Sequence, residues 1–337
     1  MPHPRIDPSR IRVFPLAQRR NLVELARVAI DPDSPPPDPG PLAERLDLVM
    51  ESIRQARKRG VSRILAYGAH TIKNGCGPLL IRLIETGWLT HLSTQGAGII
   101  HDWELAFQGA TSESVRENAP VGRFGTWDET GRNILAAVID GAAQGRGFGE
   151  SIGHHIHQHP KLHPFADRCV AARAFENRVP LCVLPGIGYD IFCCHPSFTP
   201  DAGAAMGKAS ALDFHTIAHG VMNLTGGIYL SVGSAIMSPQ CFEKAFSIAN
   251  NLLEGEGKPF LRDHHVVVVD LQPSGGWDFS GDAEPPPDHP DYYQRLCKTF
   301  ARMTGPHGEE APGGRLDYIQ ADNRLFLHNL VARLEKE

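Results

Sequence analysis

Long apolar runs are missing: no stretch of the 337-residue chain approaches the roughly 20 residues that a membrane helix needs. The opening MPHPRIDPSR has no apolar h-region, so it does not read as a secretory signal. Positive charge is not in excess either. Lys and Arg number 33 against 38 Asp and Glu, and the formal net charge of −5 offers no basic field for nucleic acid. The seven cysteines are odd in number and contain no CxxC, and the adjacent Cys193 and Cys194 are poorly placed to bridge each other. Neither a disulfide framework nor a structural zinc knot fits, and a reducing cytoplasm is the simplest location. Hydrophobic residues at 42% and charged residues at 21% describe a globular chain, long enough to bury a substantial core.

What is present centres on Ser62 to Phe107, two strand-turn-helix units in a row. SRILAY (62–67) is a short apolar run, GAHTIKNG (68–75) a turn, and Leu79 to Ile84 has helical spacing. WLTHLS (88–93) is the next strand and enters Thr94-Gln95-Gly96-Ala97-Gly98, followed by a segment carrying His101, Asp102 and Glu104. In a parallel sheet such turns gather at the carboxyl ends of the strands, where glycine lets backbone N–H groups approach an anion. Glycines after a strand also serve simple chain reversal. The polar company of His70, Lys73, Asn74, His101 and Asp102 favours a site.

Before this stretch, residues 1–30 suit an arm packed on the body or on a neighbouring subunit, and DPDSPPPDPGP (31–41) is a surface linker. Leu42 to Arg59 is helical through Leu46, Val49, Ile53 and Ala56, closing at Gly60. After it, Thr111 to Gly131 is turn-rich, Ile134 to Ala143 helical, and GRGFG (145–149) a loop. SIGHHIHQHPKLHP carries His154, His155, His157, His159 and His163; His155 and His159 would share a helix face in zinc-ligand geometry, but without an HExxH glutamate or a nearby cysteine. A solvated or interfacial helix is the plainer alternative.

Cys169 to Asn177 reads as helix and VPLCVL (179–184) as a buried strand, entering the glycine turn that ends in Asp190. Ala202 to Val221 is rich in small residues, IYLSV (228–232) a strand ending at Gly233, and Pro239 to Leu253 a helix. VVVV (266–269) has the unbroken β-branched character of a strand covered on both faces. The segments 271–290, with Trp277 and Asp278, and 304–314, with His307 and Glu309, read as site loops or lids. A strand-like YIQ, then Asp322 and Asn323 opening an apolar-periodic helix, close the chain, and helix capping alone accounts for Asp322. Strands alternating with helices predict an α/β fold, a doubly wound, Rossmann-like parallel sheet.

Laid out in this order, the chain resembles deoxyhypusine synthase and its relatives, whose fold is a doubly wound NAD-binding sheet. The likeness runs from about Ile64 to Leu330 and rests on GAHTIKNG, WLTHLSTQGAGIIHDWELA, VPLCVLPGIGYDIFCCHP, GGIYLSVGSAIMSP and IQADNRLFLHNLVA. It implies NAD as cofactor, with His70, Lys73, Thr94, Gly96, Gly98, Gly233, Asp322 and Asn323 as cofactor contacts. It also implies that His101 with Asp102 replaces a carboxylate pair that binds the amine substrate, and that Asp190 is a further amine-binding carboxylate. The family's imine-forming lysine is absent: Pro306-His307-Gly308-Glu309 stands in that loop, and a carboxylate cannot form a Schiff base.

Deoxyhypusine synthesis itself is therefore not expected. The expectation is an NAD-dependent enzyme of the transferase or deaminase type acting on the C–N bond of a small amine or amino acid. Amine oxidation to an imine would be followed by transfer, cyclisation or hydrolysis. His307, Glu309 and His101 are the acid–base candidates, and Asp102, Asp190, Trp277 and Asp278 the substrate-binding ones. No resident metal is expected. The expected organisation is an arm and linker over 1–41 and one α/β domain over 42–337, assembled as a homodimer or homotetramer. The alternatives are a non-catalytic NAD-binding scaffold and a metal-dependent hydrolase built on the histidine cluster.

Overall fold

The computed structural model describes residues 3–273, 275–277, 285–293, 295–305 and 313–336. Six strands form one parallel sheet: β1 (Arg63–Tyr67), β2 (His91–Gln95), β3 (Leu181–Leu184), β4 (Ile228–Val232), β5 (His265–Asp270) and β6 (Arg315–Gln320). Their spatial order is β3-β2-β1-β4-β5-β6, and each neighbouring pair is parallel. The direction of winding reverses between β1 and β4, so the crevice at their carboxyl ends is a topological switch point. The α/β, doubly wound, Rossmann-like class is the fold observed.

The helices that position the site are α1 (Ala43–Arg59), α2 (Ala69–Lys73), α3 (Gly77–Glu85), α4 (Gly96–Gln108), α5 (Asp128–Ala143), α6 (Phe148–Gln158), α7 (Val170–Glu176), α8 (Pro200–Met222), α9 (Met237–Gly255), α10 (Arg295–Thr304) and α11 (Asn323–Leu334). In α1 the apolar positions Leu46, Val49, Ile53 and Ala56 are buried, and Gly60 ends the helix at φ 68°. That left-handed conformation favours glycine.

Both faces of the sheet are covered, and alternate residues feed two cores. Leu65, Tyr67, Val267 and Val269 join a core with α1, α3, α4 and α11. Ile64, Ala66, Val266 and Val268 join a second core with Phe242, Phe246 and Phe300. The second core draws on the end of α8 through Ile217 and Val221, whereas Ala202, Met206 and Ala209 at its start join the first. Each fully buried side chain of this size contributes roughly 1.5–3 kcal/mol of hydrophobic stabilisation.

The N-terminal segment packs on this body. Arg19 makes a two-pronged, buried ion pair with Glu104 of α4, at 2.8 and 2.6 Å. The proline-rich segment lies along α11, where the Pro37 carbonyl accepts from Asn329 at 2.8 Å and the Ser34 carbonyl from His328 at 2.9 Å. Among the described residues no helix is long and apolar enough to cross a membrane.

Candidate functional site

At the carboxyl edge of the sheet lies a cavity of about 990 Å3, lined in part by Gln95 and Ala97 after β2, Leu184 and Asp190 after β3, Phe214 of α8 and Gly233 after β4. Three strand-end turns thus contribute to one space. The turns after β1 and β4 touch as backbone: a Cβ on Gly68 would stand 1.9 Å from the Gly233 carbonyl oxygen. Gly233 itself has φ 60°, and the nearest atoms to a Cβ there would be Thr71 Oγ1 and Asn323 Nδ2, at 3.8 and 3.9 Å. Gly68 is thus required by the close backbone approach of the two turns, and the positive φ of Gly233 favours glycine there. This glycine-walled approach is the kind of surface that a dinucleotide needs to reach backbone.

Asp190 is the carboxylate of the cavity. It is 6% exposed and accepts from the Gly186 N–H at 2.7 Å and from the Ala97 N–H at the start of α4. Gly96 is required beside it, since a Cβ there would lie 2.1 Å from Asp190 Oδ2. Burial pushes its carboxyl up to about 6, against the two backbone donors that pull the other way. The anion expected at this helix N-terminus from outside is therefore supplied from inside the chain.

Other expected contacts are arranged differently. Asp102 is 1% exposed and turned away from the cavity: it accepts from the Val170 and Ala171 N–H groups at 2.9 and 2.8 Å and from Cys169 Sγ at 3.1 Å. Its expected place in amine binding is thus corrected to the N-terminus of α7, with burial raising its carboxyl above the ordinary value. Thr94 is fully buried, donates to the Tyr67 carbonyl at 2.9 Å, and packs so closely on Gly98 that a Cβ there would sit 2.1 Å from its hydroxyl. These two residues shape the turn from beneath and do not line its open side. Trp277 packs edge-on against His289 at 5.2 Å and against the second core.

The remaining positions border the switch point. Asp322 caps α11 through the Arg324 N–H at 2.8 Å and pairs with the Arg324 guanidinium at 2.7 Å. Asn323 receives a bond from Asn74 at 3.2 Å and approaches Thr71 at 3.4 Å, tying the turn after β6 to that after β1. His70 is exposed and Lys73 half-buried, and burial lowers both from their ordinary values, His70 also through Lys73. His101, one turn further along α4 than Ala97, bonds through Nδ1 to Thr111 at 2.8 Å. Asp278, His307 and Glu309 lie outside the described residues.

The histidine-rich segment forms α6 and the turn after it. His155 packs at a tilt of 32° against His159 with centroids 4.4 Å apart, and His163 meets Trp103 edge-on at 5.6 Å. Among the described residues no group of three or more His, Cys, Asp or Glu is arranged to hold a metal.

Some participants escaped the sequence reading. Phe214 walls the cavity from a helix, where nothing in its spacing distinguishes it from a core residue; Met237, at the start of α9, lines it too. Arg19, Glu104 and Thr111 form one buried polar cluster, and a signal was available only for Glu104, a charge within an otherwise apolar helix.

No family model and no curated protein matches the chain. Among solved structures it is similar to unliganded AgrE, with a TM-score of 0.50, 17% identity, and coverage of 88% of this chain and 33% of that one. A conserved putative LOR/SDH protein from Methanococcus maripaludis S2 gives 0.49 and 16%, covering 92% of this chain and 73% of that one. A putative deoxyhypusine synthase from Entamoeba histolytica gives 0.46 and 8%, covering 87% and 88%. The likeness to AgrE is one of fold. The chain spans about a third of the length of AgrE.

Proposed function

We propose that the chain is an NAD-dependent enzyme that oxidises the C–N bond of a small amine or amino acid. The observation that carries this reading is the juxtaposition, in one cavity at the strand ends, of Gly233 at the switch point and the Asp190 carboxylate. AgrE forms a ternary complex with ornithine and NAD+, in keeping with the reading.

Bound NAD would supply the hydride acceptor for the carbon that bears nitrogen. Gly233 would border it, because it lines the cavity at the switch point. Asp190 would hold the substrate ammonium by a charge-assisted bond. An ammonium has no lone pair with which to form a C=N bond, so one proton must leave before the hydride does. Asp190, with its carboxyl near 6, is in a position to receive it. Leu184, Phe214 and Met237 would exclude water around the reacting carbon. The resulting imine then awaits hydrolysis, internal attack or amine exchange.

The purified chain, incubated with NAD and amines deuterated at the nitrogen-bearing carbon, should yield deuterated reduced nicotinamide or lose its label on turnover. Asp190→Asn should abolish both signals. Retention of label across a broad panel of amines and amino acids would remove the reading.

A further inference from the structure

His101 is the end of a buried polar chain that starts in the N-terminal segment. Arg19 holds Glu104 with both guanidinium arms. Thr130 donates to Glu104 Oε1 at 2.8 Å, and Thr111 donates to Glu104 Oε2 at 2.5 Å. A threonine hydroxyl has one hydrogen to give, and here it goes to Glu104. The contact of 2.8 Å between Thr111 Oγ1 and His101 Nδ1 must then run the other way, with Nδ1–H as donor. In a neutral imidazole that leaves Nε2 as a bare lone pair.

Several features bear on what Nε2 does. It has no hydrogen-bond partner among the described residues, and it is not sealed from solvent. Burial, with Lys73, Arg19 and His70 acting in the same sense and Glu104 opposing them, brings His101 down to about 4. It is therefore uncharged at neutral pH. Lys73 and His70 lie three residues apart on α2 and share a face. Lys73 has no ion pair or hydrogen bond among the described residues. Ala97, which lines the cavity, is four residues before His101 and shares its helix face. A lone pair within the electrostatic reach of an unpaired ammonium is complementary to a ligand that carries both a donor and an acceptor.

We propose that Arg19, Glu104 and Thr111 are positioning residues that fix His101 as the Nδ1–H tautomer, so that Nε2 accepts a hydrogen bond from an N–H or O–H group of the ligand, with Lys73 donating to the acceptor beside it. Carboxamide and ribose hydroxyl groups have this chemistry, and an isolated anion does not. The tautomer claim stands without the reading above; the identity of the ligand rests on it.

Nitrogen NMR of the histidine side chains in the full-length protein tests both parts. The wild type should show a His101 ring in the Nδ1–H form that stays neutral from pH 8 to below 5. Thr111→Val removes the acceptor and should shift the ring toward the Nε2–H tautomer that free imidazole favours in water, whereas Thr111→Ser should keep the wild-type pattern. Adding NAD should move the Nε2 resonance in the wild type, with binding weakened about tenfold in Thr111→Val. A wild-type ring already in the Nε2–H form, or one unchanged by Thr111→Val in a folded protein, overturns the proposal. So does NAD binding that leaves the Nε2 resonance unmoved. If NAD fails to bind while the tautomers behave as described, the cofactor reading falls and the positioning chain stands.

Discussion

The two ends of the sheet carry the same device put to different use. At the amino end, Asp213 of α8 accepts from the Gly149 and Val183 N–H groups at 3.0 and 2.7 Å, at the start of α6, beside a cavity of about 320 Å3. At the carboxyl end, Asp190 accepts from Gly186 and Ala97 at the start of α4, on the wall of the cavity of about 990 Å3. Each carboxylate presses on a glycine: a Cβ on Gly147 would stand 1.9 Å from Asp213 Oδ1, and one on Gly96 would stand 2.1 Å from Asp190 Oδ2. Burial raises both, Asp213 to about 7 and Asp190 to about 6. What separates them is setting. Asp213 joins α8 to β3 and α6 and completes the structure there. Asp190 faces the larger space, where strand-end turns converge and a ligand has room.

The comparison breaks most sharply on stability. Asp213→Ala leaves at least two buried N–H groups without an acceptor, and the loss in urea unfolding should be about 3 kcal/mol. Asp190→Ala should lose about 1 kcal/mol, because its donors lie on a cavity that water enters. Equal losses would erase the distinction.

Binding gives the next effect in the opposite sense. Asp190→Asn should weaken a bound amine about 10- to 100-fold through loss of a charge-assisted bond, by calorimetry, while folded Asp213→Ala protein binds as the wild type does.

The pH dependences also diverge. Amine binding should fall about tenfold per unit below pH 6, as Asp190 takes up a proton and ceases to attract a cation. Asp213 has a folded pKa raised above the unfolded value near 3.8. Its stabilising contribution is full below that value and is lost as pH rises through about 7. Thermal unfolding at pH 8 and pH 6 should therefore show a gain at the lower pH that disappears in Asp213→Ala.

The last pair of variants concerns the glycines. Gly147→Ala and Gly96→Ala should each destabilise by about 1–2 kcal/mol, and Gly96→Ala alone should weaken amine binding as it displaces Asp190.

Much of this architecture is legible in the chain. IYLSV matches β4 to the residue, because a β-branched and aromatic run ends there at a glycine turn. The carboxylate Asp190 at a strand-end turn was also readable. The long helix α8 is legible only as a small-residue stretch, since its start packs in one core and its end in the other and no single apolar stripe runs its length. GRGFG read as a loop, yet its second glycine starts α6 because Asp213, distant in sequence, accepts its first N–H groups. The direction of Asp102 was hidden for the same reason. Spacing places a side chain on a helix, but the partner that turns it inward lies on α7, about 68 residues away.

The central claim is that the crevice between β1 and β4 holds a pyridine dinucleotide, and direct titration of the purified chain with NAD tests it most simply. Saturable binding should appear in the micromolar range and be lost in Gly233→Val, whose side chain would enter the crevice. Absence of binding at millimolar NAD, or equal binding by wild type and Gly233→Val, would contradict the account.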